Sequence, residues 1–123
     1  MRQTTVLQQS EYEVQRDVFE WAEVHSLAFP ELKLLNASLS GVKLPIGLAM
    51  KCKRSGMKKG YPDIYLPVAR KGYHGLFIEV KVGYNKPSPE QLEWKRLLDE
   101  QGYRSLVLNG YHAVIEELRD YLS

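Results

Sequence analysis

Three side chains in this sequence could act together: Asp63, Glu79 and Lys81. Asp63 follows Gly60-Tyr61-Pro62, and Glu79 and Lys81 lie in the strand-like run Gly75-Leu76-Phe77-Ile78-Glu79-Val80-Lys81-Val82. Successive residues of a strand face opposite ways, so Leu76, Ile78, Val80 and Val82 share one face and Glu79 and Lys81 the other. Two carboxylates beside an ammonium suit a hard divalent cation. Mg2+ takes oxygen ligands at about 2.0 to 2.1 Å and keeps several waters, and the Val80 carbonyl between the two charged residues is a further oxygen. Such a cation makes a water easier to deprotonate and polarises a phosphoryl oxygen. Lys81 could then orient the water or neutralise charge developing on phosphate. Short acid-x-Lys patterns also recur by accident, as the polar side of a half-solvated sheet with Asp63 capping a turn, so the surrounding residues decide.

Those surroundings predict elements that would bring the three together. Ile64, Leu66 and Val68 alternate after Asp63, and the segment from Ala69 to Gly75 reads as a hairpin loop. An antiparallel hairpin brings its outer ends together, which sets Asp63 near Glu79 and Lys81. A helix is predicted from Ser10, with Glu13 completing a capping box. Glu11, Gln15, Val18, Ala22 and His25 fall on one of its stripes, so Glu11 is expected to point inward, where a charge wants a partner. Attraction to the helix N-terminus is the simpler account of Glu11.

From Ala28 to Gly60 the pattern is interrupted by Pro30, Gly41, Pro45, Gly47 and Gly56. A short strand is expected around Leu32 to Leu35, and a helical turn near Ile46 to Cys52. Lys51, Lys53, Arg54, Lys58 and Lys59 then follow with no acid among them, a segment suited to a phosphate backbone or simply to solvent. Ser88-Pro89-Glu90-Gln91 opens a second helix, with Ser88 as cap, Pro89 first and Gln91 third. Leu92, Trp94, Leu97 and Leu98 are its expected apolar stripe. Ser105 to Asn109 reads as a strand and Tyr111 to Leu122 as a closing helix with Ala113, Val114, Ile115, Leu118 and Tyr121 inward. The order implies an α/β fold, a mixed sheet flanked by helices.

Pro62-Asp63 followed by Glu79-x-Lys81 resembles the PD-(D/E)XK nuclease signature, and the longer pattern resembles the VRR-NUC domain within that superfamily. The likeness runs from about Ser10 to Tyr121. It takes in Glu11 and Gln15, Asn36, the block Gly56 to Asp63, the block Gly75 to Lys81, Ser88 to Leu92, and Leu98 through Tyr103. It implies a restriction-endonuclease-like core in which Glu11, Asp63 and Glu79 bind the metal, the Val80 carbonyl adds a ligand, Lys81 is catalytic and Gln91 is an active-site neighbour. It also implies Mg2+ or Mn2+ as cofactor and DNA as substrate. Valine at position 80, where leucine is usual, is a small departure, since only its carbonyl is used.

The whole chain, 123 residues, is expected to form one nuclease domain, and 44% apolar with 26% charged residues is an ordinary globular composition. Nothing reads as a signal peptide or membrane span, so a cytoplasmic protein is expected, in a bacterial or phage-infected cell. Cys52 is the lone cysteine, which excludes an internal disulfide. The net charge of +2 is too small to argue for nucleic acid by itself, whereas the five clustered cations beside Asp63 do point to DNA contact. The likeness is to small stand-alone members, from which a symmetric homodimer cutting branched DNA, such as a four-way junction, is expected. A nuclease of flaps or linear duplex, or a nucleic-acid-binding module serving a partner protein, is the alternative.

Overall fold

The two apolar runs on either side of the Ala69 to Gly75 segment pair with each other in the computed structural model, which describes residues 8–123. Strands β2 (Ile64–Leu66) and β3 (Leu76–Lys81) are antiparallel, with Ile64 opposite Ile78 and Leu66 opposite Leu76. Arg70 and Tyr73 exchange backbone hydrogen bonds of 3.2 and 2.8 Å across the tip. Between them Lys71 (φ 53) and Gly72 (φ 84) both take left-handed backbone, as a two-residue hairpin turn requires. Continuing the register one step outward sets Asp63 across from Glu79.

Strand β4 (Arg104–Asn109) lies parallel to β3, from Leu76 opposite Arg104 to Lys81 opposite Asn109. Parallel neighbours need a long crossover, and helix α3 (Pro89–Glu100) supplies it. Strand β1 (Asn36–Ala37) pairs antiparallel with β2, giving the order β1-β2-β3-β4 in a mixed sheet.

The strand expected at Leu32 to Leu35 is instead a 3-10 turn, Pro30–Leu34. It buries Leu32, and Leu35, which caps its end, is buried too, at a spacing of three that belongs to a helical turn rather than to alternation. Pro30 at its start has no N–H to lose and a fixed φ that suits a helical opening. Helix α2 (Ile46–Arg54) runs past the single turn expected there, and Lys51, Lys53 and Arg54 in its last turn complement the negative end of its dipole.

Helices α1 (Glu11–Val24) and α4 (Tyr111–Leu122) pack against each other and against β3. Val14, Val18, Val114 and Leu118 meet Leu76, Ile78 and Val80 there in one apolar core. The buried Tyr121 hydroxyl donates to the Val68 carbonyl at 2.6 Å. Ala113, expected inward, is half-buried.

The opposite face of β3 is covered too. Phe77 stacks on Tyr65 at 4.1 Å and meets Tyr61 and Tyr103 edge-on, and Tyr61 in turn meets Trp94 of α3. All six β3 residues are therefore buried, and the side carrying Glu79 and Lys81 is not half-solvated. The stripe of α3 differs from the expected one. Glu90, Gln91, Trp94, Lys95 and Leu98 are its less exposed residues, while Leu92 and Leu97 remain exposed. One residue is about 100° of helix, which is enough to turn Leu92 away once Gln91 faces the sheet.

Candidate active site

Asp63 enters β2 through a segment pinned from the side. The Ser38 backbone N–H donates to the Asp63 carbonyl at 2.9 Å, and the Ser38 hydroxyl donates to the Pro62 carbonyl at 2.7 Å. The Asp63 carboxylate accepts the Val80 N–H through Oδ2 at 2.8 Å. A residue's N–H and C=O leave a strand along the same edge, so the Val80 carbonyl also faces β2. Gly41 lies beside this carboxylate: a Cβ added there would stand 3.5 Å from Asp63 Oδ1, in ordinary van der Waals contact.

Glu79 and Lys81, one strand period apart, emerge beside Asp63. Exposures of 8%, 5% and 8% for Asp63, Glu79 and Lys81 remove all three from bulk water. Lys81 Nζ lies 3.4 Å from Glu79 Oε2 and 3.9 Å from Glu11 Oε2. Burial first, and then the Asp63 carboxylate, push the Glu79 carboxyl up to about 8, against the partial pull of Lys81. One of its oxygens, Oε1, is buried with no hydrogen-bond partner.

Gln91 closes the site from α3. Its backbone N–H donates to Ser88 Oγ at 3.2 Å and its Oε1 accepts the Ser88 N–H at 2.8 Å, the reciprocal pair that starts the helix. Its remaining amide group, Nε2, donates to Glu79 Oε2 at 2.8 Å. One side chain thus caps the helix and orients an acid. The fit of α3 here depends on Gly60, whose φ is +87 and where a Cβ would lie 2.7 Å from the Glu90 backbone.

Glu11 starts α1, whose capping box forms as the sequence predicts: Ser10 Oγ accepts the Glu13 N–H, and the Glu13 carboxylate accepts the Ser10 N–H. Its side chain is 37% exposed rather than turned fully inward, and its partners are Lys81 and Asn85, whose Nδ2 donates to it at 3.2 Å. Among the described residues no group of three His, Cys, Asp or Glu side chains is arranged to hold a metal ion. Asp63 and Glu79 are immediate neighbours, whereas Glu11 joins them through the Lys81 ammonium.

The donor set nevertheless fits a divalent cation. Two buried carboxylates repel each other, one oxygen has no partner, and a backbone carbonyl faces the same edge; a cation would relieve the first two and use the third. A cavity of about 430 Å3, lined by Glu11, Gln15, Arg16, Ser38 and Gly41 among others, reaches this site at Asp63, with Glu79 and Val80 behind its wall.

Of the five clustered cations, all are exposed. Lys51, Lys53 and Arg54 ride on α2; Lys58 lines a second cavity beside Tyr61 and Trp94; Lys59 pairs with Glu90 at 3.4 Å. Asn36 braces the sheet edge, its amide donating to the Leu34 and Tyr65 carbonyls. Sequence reasoning missed Ser38, Gly41 and Asn85. Asn85 stands 74 positions from Glu11, and only the fold joins them.

A mixed sheet with helices on both faces and Asp63, Glu79 and Lys81 at one end of its central hairpin defines a restriction-endonuclease-like nuclease core. The family model described as the VRR-NUC domain matches residues 8–112, and the chain belongs to that family. A solved structure of a VRR_NUC domain protein is 34% identical, superposes with a TM-score of 0.78, and is matched over 94% of this chain and 89% of its own. No curated protein matches the chain. Among the described residues no helix is long and apolar enough to cross a membrane.

Proposed function

We propose that the protein is a Mg2+- or Mn2+-dependent endonuclease that hydrolyses phosphodiester bonds in branched DNA. The observation that carries this is the buried Asp63–Glu79 pair, with an unpartnered Glu79 oxygen and the Lys81 ammonium 3.4 Å away. Asp63, Glu79 and the Val80 carbonyl would hold the cation, with Glu11 the third carboxylate, reached through water. The cation, when bound, lowers the pKa of a water and polarises a phosphoryl oxygen. Gln91 fixes the rotamer of Glu79. Lys81, held between Glu79 and Glu11, is placed to orient the attacking water and to offset charge on the phosphate as it develops. Lys51, Lys53, Arg54, Lys58 and Lys59 supply the salt-dependent attraction that brings the DNA backbone to this end of the sheet.

Junction-resolving chemistry cuts two strands, and a symmetric homodimer would present one such site to each. A gel-filtration mass equal to one chain, at the concentration where cutting occurs, would count against the dimer. The activity is tested with four-way junctions, flaps, forks and linear duplex, each in Mg2+ and in EDTA. Cutting of the junction in Mg2+ alone is expected, with Asp63→Ala and Lys81→Ala binding the DNA without cutting it. Wild-type rates from both variants would show that the site is misplaced. Tight binding with no cutting of any substrate in Mg2+ or Mn2+ would make the protein a binding module.

A further inference from the structure

Beside the active site lies a second cavity of about 290 Å3, walled by Met57, Tyr61 and Trp94 with Lys58 and Ser38 also contributing. We propose that it receives the base of one unpaired nucleotide of the strand being cut, an inference that rests on the nuclease reading above. Ser38 lines this cavity and also the one that reaches Asp63, so the two open around a single residue. A strand whose phosphate sits at Asp63 and Glu79 would therefore carry a neighbouring base past Ser38 into the aromatic walls.

Those walls are fixed in advance. Trp94 is held by its Nε1, which donates to the Lys59 carbonyl at 3.1 Å, and by edge contact with Tyr61 at 5.1 Å. Tyr61 is held in turn by Phe77 at 5.9 Å, and Gly60 admits α3 close enough for the Trp94 contact to form. Rigid aromatic surface costs little ordering on binding, and base stacking on it tolerates any base. The volume lies at the lower end of small-molecule sites, which suits one flat group rather than a base pair. Exposed Lys58 lines it and matches the charge of an attached phosphate. An apolar peptide side chain of similar size would leave that charge unanswered.

The test compares two duplexes, each bulged by one extra residue that either carries its base or is abasic, with binding read by fluorescence anisotropy in EDTA. Wild-type protein is expected to favour the bulge that carries its base by about 5- to 150-fold, the range of aromatic stacking lost on alanine substitution. Trp94→Ala and Met57→Ala are each expected to bring that ratio close to one, with unchanged affinity for fully paired duplex. Met57 lies outside the apolar core, so Met57→Ala keeps the test decisive should Trp94→Ala fail to fold. A wild-type ratio of one, in a protein that cuts junctions in Mg2+, would overturn the base pocket and leave the nuclease reading standing; a ratio that persists in Met57→Ala and in folded Trp94→Ala would do the same. Failure to bind any DNA would overturn both.

Discussion

Strand β3 has two unlike sides, both buried. Leu76, Ile78 and Val80, each 0% exposed, face α1 and α4 in a core without charged side chains, while Phe77, Glu79 and Lys81 face the α3 side, where aromatic rings give way to charge at the strand end. On the first side each buried methylene contributes about 0.8 kcal/mol, and the buried polar atoms are neutral ones, the Tyr121 hydroxyl bonded to Val68 and the Trp21 Nε1 without a partner. On the second, Asp63 and Glu79 are desolvated against each other, and buried charge is costly unless paired. The comparison teaches a division of labour within six residues: one face holds the hairpin in place, and the other is held in an arrangement it would not adopt unaided.

Substitutions on the two faces should therefore fail differently. The largest effect is expected from Asp63→Ala or Lys81→Ala, which should lower the junction-cleavage rate by about 10^2 to 10^4-fold while leaving DNA affinity near wild type. Ile78→Ala, next to Glu79 in sequence but on the apolar face, should cost about 2 to 5 kcal/mol of stability in urea unfolding. The fraction that remains folded should cut at the normal rate, and a rate loss beyond the folded fraction would blur the division. Gln91→Glu keeps the capping box yet exchanges the amide donor for a carboxylate facing Glu79. It should lower the melting temperature of the chelated protein, because a third carboxylate adds to the repulsion between Asp63 and Glu79, and Mg2+ should raise that melting temperature by more than it does in wild type.

The gentlest probe is pH. The Glu79 carboxyl is raised from 4.5 to about 8 by burial and by Asp63. Between those values the folded chain holds a proton that the unfolded chain has lost. Stability of the chelated protein should thus be fully present at acidic pH and decline as pH rises from about 4.5 through about 8. Glu79→Gln should flatten that decline in thermal melts, as should Mg2+.

Much of this was legible in the sequence because it is local. Alternation marked the hairpin, Ser10 and Ser88 with their third-residue partners marked two helix starts, and Asp63, Glu79 and Lys81 fell together through hairpin register. Gln91 was readable from its spacing as a cap, and only the family resemblance set it near the active site; its two amide atoms contact Ser88 and Glu79. What the sequence hid depends on distant pairing or helical phase. The Leu32 and Leu35 spacing belongs to a 3-10 turn, the inner stripe of α3 is set by Gln91 rather than by its leucines, and Glu11 reaches Lys81 and Asn85 from the far end of the chain.

Asp63 and Glu79 are proposed to hold one divalent cation between them, beside Lys81. Titrating Mn2+ into the protein and following free Mn2+ by electron paramagnetic resonance tests it without any DNA. Wild-type protein should take up Mn2+, and Asp63→Asn and Glu79→Gln should each lose that uptake while Lys51→Ala, on α2, retains it. Equal Mn2+ uptake by wild type and both carboxylate variants, or none by the wild type, would contradict the account.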